Sequence, residues 1–158
     1  MQVEWEWSLF DELSARDLYA ILKIRQAVFV VEQDCAYQDI DDIDQHAWHL
    51  LGKQQSGATQ RLVAYLRLVY PTIKYPEPSI GRVLTVASVR GQGLGKAMTR
   101  EALAQAAREY PGQPVRISAQ SYLFEFYNEF GFEIVSEPYD EDGIPHVEML
   151  TTQPFTDL

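Results

Sequence analysis

Val89-Arg90-Gly91-Gln92-Gly93-Leu94-Gly95-Lys96 (VRGQGLGK) places glycines on alternate positions directly before a helix-prone run. Glycine lets the backbone approach a ligand closely, and the amide end of a following helix favours an anion. Three phosphate-holding designs compete for this stretch. A P-loop needs four residues between its first glycine and Gly-Lys-Ser/Thr. Here three residues separate Gly91 from Gly95, and Ala97 after Lys96 offers no hydroxyl for magnesium. The dinucleotide pattern G-x-G-x-x-G wants glycine where Lys96 or Met98 stands. The third reading, Arg90-x-x-Gly93-x-Gly95, fits. Backbone amides at Gly91, Gln92, Gly93 and Gly95 can converge on a pyrophosphate, the helix start adds its dipole, and Arg90 and Lys96 add charge. A glycine-rich turn without a ligand fits the loop alone equally well.

The flanks define the fold. Ile80–Val86 (IGRVLTV) reads as the strand before the loop, and Leu94–Tyr110 as an alanine-rich helix ended by Pro111-Gly112. Upstream, Val3–Trp7 (VEWEW) alternates like a half-buried strand. Ser14 opens a capping box with Asp17, and Leu18, Ile21, Leu22, Val28 and Phe29 recur at helical spacing to about Val31. Arg25 lies on that stripe, as a stem snorkelling from the core edge or, less expected, as a charge aimed into a site. Gln33–Gln45 is a polar, acidic loop. Ala47–Leu51 and Leu62–Tyr70 are strand-like, separated by a turn at Ser56–Gln60 and followed by the proline-rich loop Pro71–Pro78. Val115–Ala119 is a strand, Tyr122–Phe130 a short helix stopped by Gly131, and Phe132–Val135 and His146–Leu150 are strands around a loop PYDEDGIP. The order β-α-β-β-β-α-β-α-β-β, with no repeat or linker, predicts one α/β domain over residues 1–158 with a mixed sheet flanked by helices.

Composition narrows the function. The 158 residues carry a net charge of −10, which argues against nucleic acid as a general partner. No apolar run approaches a membrane span, so a soluble cytoplasmic protein is expected. Cys35 is the single cysteine and builds neither a disulfide nor a cysteine zinc site. His46 and His49 on a strand would face opposite ways, and Asp39–Asp44 lacks the glycine and closing glutamate of an EF-hand, so no metal site is expected. Acids in Asp39–Asp44 and at Glu141-Asp142 are either solvated or poised to draw a cationic amine.

A second motif gives the loop its context. Phe126-Tyr127-Asn128-Glu129-Phe130-Gly131-Phe132 resembles the F-Y-x-x-x-G-F segment of the GCN5-related N-acetyltransferase (GNAT) superfamily, and Arg90–Gly95 resembles its coenzyme A pyrophosphate loop. Across nearly the whole chain, RQAVFVVEQDCAYQDIDDID, GRVLTVASVRGQGLG, AQSYLFEFYNEFGF and EDGIPHVEM look like the ElaA-like branch. Departures are Ala87, where the superfamily often has proline, and Gln120, where it has asparagine.

The resemblance implies direct acetyl transfer from acetyl-CoA to a primary amine of a small molecule or peptide. Strand amides at Leu84 and Thr85 would orient pantetheine and polarise the thioester carbonyl. Gln120 would contact the coenzyme, and Tyr127 would protonate the departing thiolate. Many relatives place a basic glutamate on the strand before the loop, but GRVLT has none. His146 is the first substitute, with His46, His49 and Glu32 as others. Cys35 could carry a ping-pong intermediate, but no basic partner lies near it in sequence and its flank is acidic. Competing readings are a non-catalytic acyl-CoA sensor of the same fold and a nucleotide-binding protein. Trp5, Trp7 and Trp48 are candidates for a homodimer contact.

Overall fold

In the computed structural model, which describes residues 2–151, the apolar run LVAYLRLV becomes the centre of the molecule. Its strand is β3 (Thr59–Val69), and it pairs antiparallel with β2 (Ala47–Ser56) on one side and β4 (Ser79–Thr85) on the other. The run is continuous rather than alternating because both of its faces are covered. Ala64, Leu66 and Leu68 pack with Leu50, Met98 and Leu103 on one side. Tyr65 packs with Ile21, Ile24 and Leu51 on the other. Burying each large aliphatic side chain contributes about 1.5–3 kcal/mol.

The order across the sheet is β1-β2-β3-β4-β5-β8-β6, with β7 also pairing β8. Strand β1 (Val3–Leu9) forms one edge. Its Trp5 ring lies on Gly52, where a Cβ would come within 2.6 Å of the ring, so only glycine fits there. Strand β5 (Arg116–Gln120) runs parallel to β4, and β8 (Ile144–Thr151) and β6 (Phe132–Ile134) complete the other half. This is the mixed, helix-flanked sheet expected from the sequence.

Helix α1 (Ala15–Arg25) starts on Ser14, whose hydroxyl accepts from the Asp17 amide at 3.0 Å. Only half of the predicted box forms: the Asp17 carboxylate turns to Lys53. The chain stays helical beyond Arg25 but widens into a π-helical stretch, Gln26–Glu32. Helix α2 (Leu94–Glu109) packs on β3 and β4. The expected helix Tyr122–Phe130 divides into a 3-10 turn, Ser121–Leu123, and a short α3, Phe124–Asn128.

Two readings need correction. PYDEDGIP is a hairpin, not a loop: β7 (Tyr139–Glu141) folds back on β8 through Asp142-Gly143, both at positive φ (52° and 82°). Asp-Gly is the turn chemistry that such a two-residue connection requires. Arg25 does not snorkel. It is fully buried and bonds Asp39 and Asp44, because those acids fold back beneath the sheet's face to meet it.

Candidate active site

Strands β4 and β5 share only two registered pairs, Ser79 with Arg116 and Ile80 with Ile117. Beyond Ile80 they part. The cause lies in β4, where Gly81 opposes Arg67, but Leu84 already opposes Tyr65. One surplus residue is therefore accommodated, and Arg82 takes φ +53° within it. Such a bulge bends and twists its strand. The gap opens into a cleft of about 700 Å³ that runs from the start of α2 to the β7–β8 turn.

At the α2 end, Gly91 and Gly93 take φ of +83° and +80°, and Gly93 caps the helix. Neither would meet an atom within 4 Å through an added Cβ, so conformation and not crowding calls for glycine here. Gly91, Gln92 and Gly93 stand exposed, and Gly95 and Arg90 line the cleft. Among the described residues no oxygen accepts from the amides of residues 91 to 96, the arrangement an anion needs. Arg90 bonds the Thr85 carbonyl at 2.8 Å and pairs with Glu32. Lys96 reaches Glu129 at 3.5 Å on the surface.

The strand amides proposed for the thioester are not equivalent. Val86 donates to the Val63 carbonyl at 2.9 Å. By strand alternation the Leu84 amide also faces β3, while Thr85 turns its amide and carbonyl toward the gap. Leu84 contributes its buried side chain to the cleft wall instead.

Tyr127 on α3 is buried, edge-on to Phe126 and Phe132, and lines the cleft. Burial pushes its pKa up to about 12, so the hydroxyl keeps its proton at neutral pH. Gln120 ends β5 and lies in register with His146 of β8, so both side chains share the cleft face. His146 is 8% exposed. Its Nδ1 lies 2.7 Å from the Ile144 carbonyl and must carry the proton of that bond; Nε2 faces Glu141 at 3.1 Å. Its ring stacks on Tyr139, whose hydroxyl bonds Ser118.

The other proposed bases separate clearly. His49 is fully buried between the Tyr65 hydroxyl (2.7 Å) and the Asp44 carbonyl (2.9 Å), and burial holds its pKa below the ordinary value. It is a structural residue. His46 is exposed on the short turn before β2 and does not line the cleft. Glu32 lines the cleft, but its bond to Arg90 lowers its pKa and makes it a weaker base. Cys35 lines the cleft rim, its sulfur 3.5 Å from the Asp142 carbonyl, with no basic side chain bonded to it among the described residues.

The acidic loop is not a solvated attractor for cations. Asp39, Asp41 and Asp44 are matched against Arg25, Arg67 and Arg82 in one network beneath the cleft. Burial alone would raise the Asp41 carboxyl, but Arg67 outweighs it and holds the pKa at about 2. The cleft lining also includes Glu141, as expected, and Arg67 and Arg82, which the sequence did not mark as cleft residues. A lone arginine inside LVAYLRLV was the available signal for Arg67, since an unpaired buried charge does not persist.

The tryptophans contribute internally: Trp5 and Trp7 pack against the core, and the Trp48 indole donates to the Tyr110 hydroxyl at 3.3 Å. No helix among the described residues is long and apolar enough to cross a membrane.

Comparison with known proteins agrees with this geometry. The model of the acetyltransferase (GNAT) domain matches residues 20–152. A UPF0039 protein of Synechocystis is 46% identical over 98% of both chains. Protein ElaA of Escherichia coli is 41% identical over 93% of this chain and 95% of its own. Its crystal structure superimposes with a TM-score of 0.86, covering 94% of this chain and 99% of that one. An acyl-CoA N-acyltransferase from Pseudomonas aeruginosa gives a TM-score of 0.89 at 39% identity, covering 96% of this chain and all of the other. With the split sheet, the free-amide loop and these relatives together, the chain belongs to the GNAT family of acetyltransferases, in its ElaA-like branch.

Proposed function

We propose that the protein transfers the acetyl group of acetyl-CoA directly to a primary amine, within a single domain spanning the chain and in the cytoplasm. The observation that carries this reading is the unpaired seam between β4 and β5, which connects the free amides before α2 with Tyr127 and His146. A pyrophosphate fits those amides, and an extended thioester arm fits the seam.

In this reading the uncharged amine attacks the thioester carbonyl and a C–N bond forms. The Thr85 amide stabilises the developing oxyanion. His146, freed at Nε2 from Glu141, accepts the amine proton. As the C–S bond breaks, the Tyr127 hydroxyl donates its proton to sulfur and is later reprotonated from solvent. Arg90, Gly91, Gln92, Gly93, Gly95, Lys96 and Gln120 hold the coenzyme, Leu84 packs beside it, and no metal takes part.

The decisive test is calorimetric titration with acetyl-CoA, beside ATP and NADH, followed by an amine panel. Saturable binding of acetyl-CoA alone, weakened by Gly93→Glu, with turnover of at least one amine is the expected result. Binding without turnover of any amine would favour an acyl-CoA sensor, and binding of ATP or NADH instead would overturn both.

A further inference from the structure

Four cationic side chains line the cleft: Arg67, Lys74, Arg82 and Arg90. Three are neutralised. Arg67 bonds Asp41 at 2.6 Å and Asp44 at 2.8 Å, Arg82 bonds Asp39 at 2.8 Å, and Arg90 pairs with Glu32. Lys74 forms no ion pair among the described residues. Its ammonium lies over the Tyr75 ring, 5.7 Å from the centroid, and in a chain with 23 acidic and 13 basic residues a cation without a carboxylate partner beside a cleft is unexpected.

The segment that presents Lys74 is held in place. Prolines 71, 76 and 78 stiffen it, and the Thr72 amide donates to the Tyr75 carbonyl at 2.7 Å. Arg116 lies over the Tyr75 ring, 5.4 Å from its centroid. Lys74 is exposed at the rim, yet its pKa is lowered, chiefly by desolvation; Glu141 and, more weakly, Asp41 oppose the drop, while Arg67 and Arg82 repel the ammonium. An anion beside it would offset that repulsion. The nearby wall carries the opposite character, for Glu141 faces His146 there.

We propose that the acceptor is a zwitterionic amine, an amino acid or short peptide, whose carboxylate docks on Lys74 while its amine faces Glu141 and His146. The inference rests on the acetyl-transfer reading and adds the acceptor's class to it. A diamine would bring a second cation against Lys74, and a neutral amine would leave it unpaired. The incoming ammonium loses one proton before attack and a second as the amide forms. The first passes to solvent and the second to His146 and then to solvent, while one proton returns from solvent to the Tyr127 that protonated the thiolate, so one proton is released per turnover. The acetylated product keeps its carboxylate but has lost the positive charge that Glu141 attracts, which favours release.

The experiment compares glycine and dipeptides with their C-terminal amides and with diamines, using acetyl-CoA and the full chain. The free acids should show kcat/KM about tenfold above their amides, the scale of one charge-assisted hydrogen bond. Lys74→Met should abolish that margin through KM, and Lys74→Glu should invert it in favour of amides and diamines. Binding of N-acetylglycine and of its methylamide, measured by calorimetry, reads the same subsite without turnover. Equal use of acids and amides by the unaltered protein would overturn the proposal while leaving acetyl transfer intact. Lys74-dependent binding of N-acetylglycine without turnover of any amine would sink the transfer reading but keep the carboxylate subsite. N-acetylglycine binding that Lys74→Met leaves unchanged would remove the subsite itself.

Discussion

Arg25 and Asp44 meet at 2.7 Å with both side chains out of solvent, and the same Asp44 oxygen accepts from Arg67 at 2.8 Å. One carboxylate thus joins the first helix, the acidic loop and the central strand beneath the cleft.

Removing that carboxylate strands two buried guanidinium groups. Asp44→Ala should therefore cost about 3–5 kcal/mol, the scale for breaking a buried ion pair from one side. Urea unfolding followed by tryptophan fluorescence measures it. A loss under about 1 kcal/mol would mean that water reaches the network and replaces the missing oxygen.

The network also sets the response to acid. Asp41 is held at about 2 in the fold against 3.8 unperturbed, so its stabilisation is complete above pH 3.8 and is lost as the pH falls from there to about 2. The window is worth on the order of 2 kcal/mol. His49, whose pKa lies below 6.5 in the fold, adds a loss that begins as the pH drops through 6.5. Unfolding free energy should decline in both ranges, and Asp41→Asn should flatten the lower one specifically. A lower range unaffected by that substitution would assign it to other carboxylates.

Tyr127→Phe removes the hydroxyl but keeps the aromatic packing against Phe126 and Phe132. It should lower kcat by ~10²–10⁴ and leave acetyl-CoA binding nearly unchanged. Because burial holds the tyrosine proton to about 12, the unaltered enzyme should show no loss of rate from tyrosine ionisation up to pH 10. An unchanged kcat in the phenylalanine variant would show that solvent supplies the proton at sulfur.

His146→Gln keeps a polar side chain beside Gln120 but cannot accept a proton. It should lower kcat/KM by about 10²-fold or more, with the acetyl-CoA dissociation constant intact. Steady-state kinetics with calorimetry separates the two. Retained turnover would point to a water chain in place of the imidazole.

At Gly93, φ is +80° with open space around the Cα, so Gly93→Ala meets conformational cost alone, about 1–2 kcal/mol. Acetyl-CoA affinity should fall about tenfold as the loop's amides lose their aim. Thermal unfolding and calorimetry on one preparation distinguish lost stability from lost binding.

How far the sequence could be read depended on whether a feature was local. VRGQGLGK and FYNEFGF declare themselves because turn chemistry and aromatic packing act within a few residues. The alternation of VEWEW in β1 and the continuous apolar run of β3 did the same for the sheet. What escaped notice was long-range pairing: Arg25 to Asp44 spans 19 positions, Arg67 to Asp41 spans 26, and Arg90 to Glu32 spans 58. Acids in QDIDDID look solvated until the arginines that neutralise them are placed opposite. The β7–β8 hairpin was legible in Asp142-Gly143, but its polar strand of three residues carries too little apolar pattern to stand out from a loop.

The surplus residue in β4 has a wider meaning for how such an enzyme changes. Ile80 and Val83 pack on the same side of the sheet although an odd number of steps separates them, while Leu84 joins the opposite core. The strand is one residue longer than its partner allows, so the opening beside it is a matter of counting and not of composition. Side chains around the acceptor can then be exchanged one at a time while the coenzyme's slot persists. One fold can thus serve many acceptors, because the slot and the choice of guest are written in separate variables.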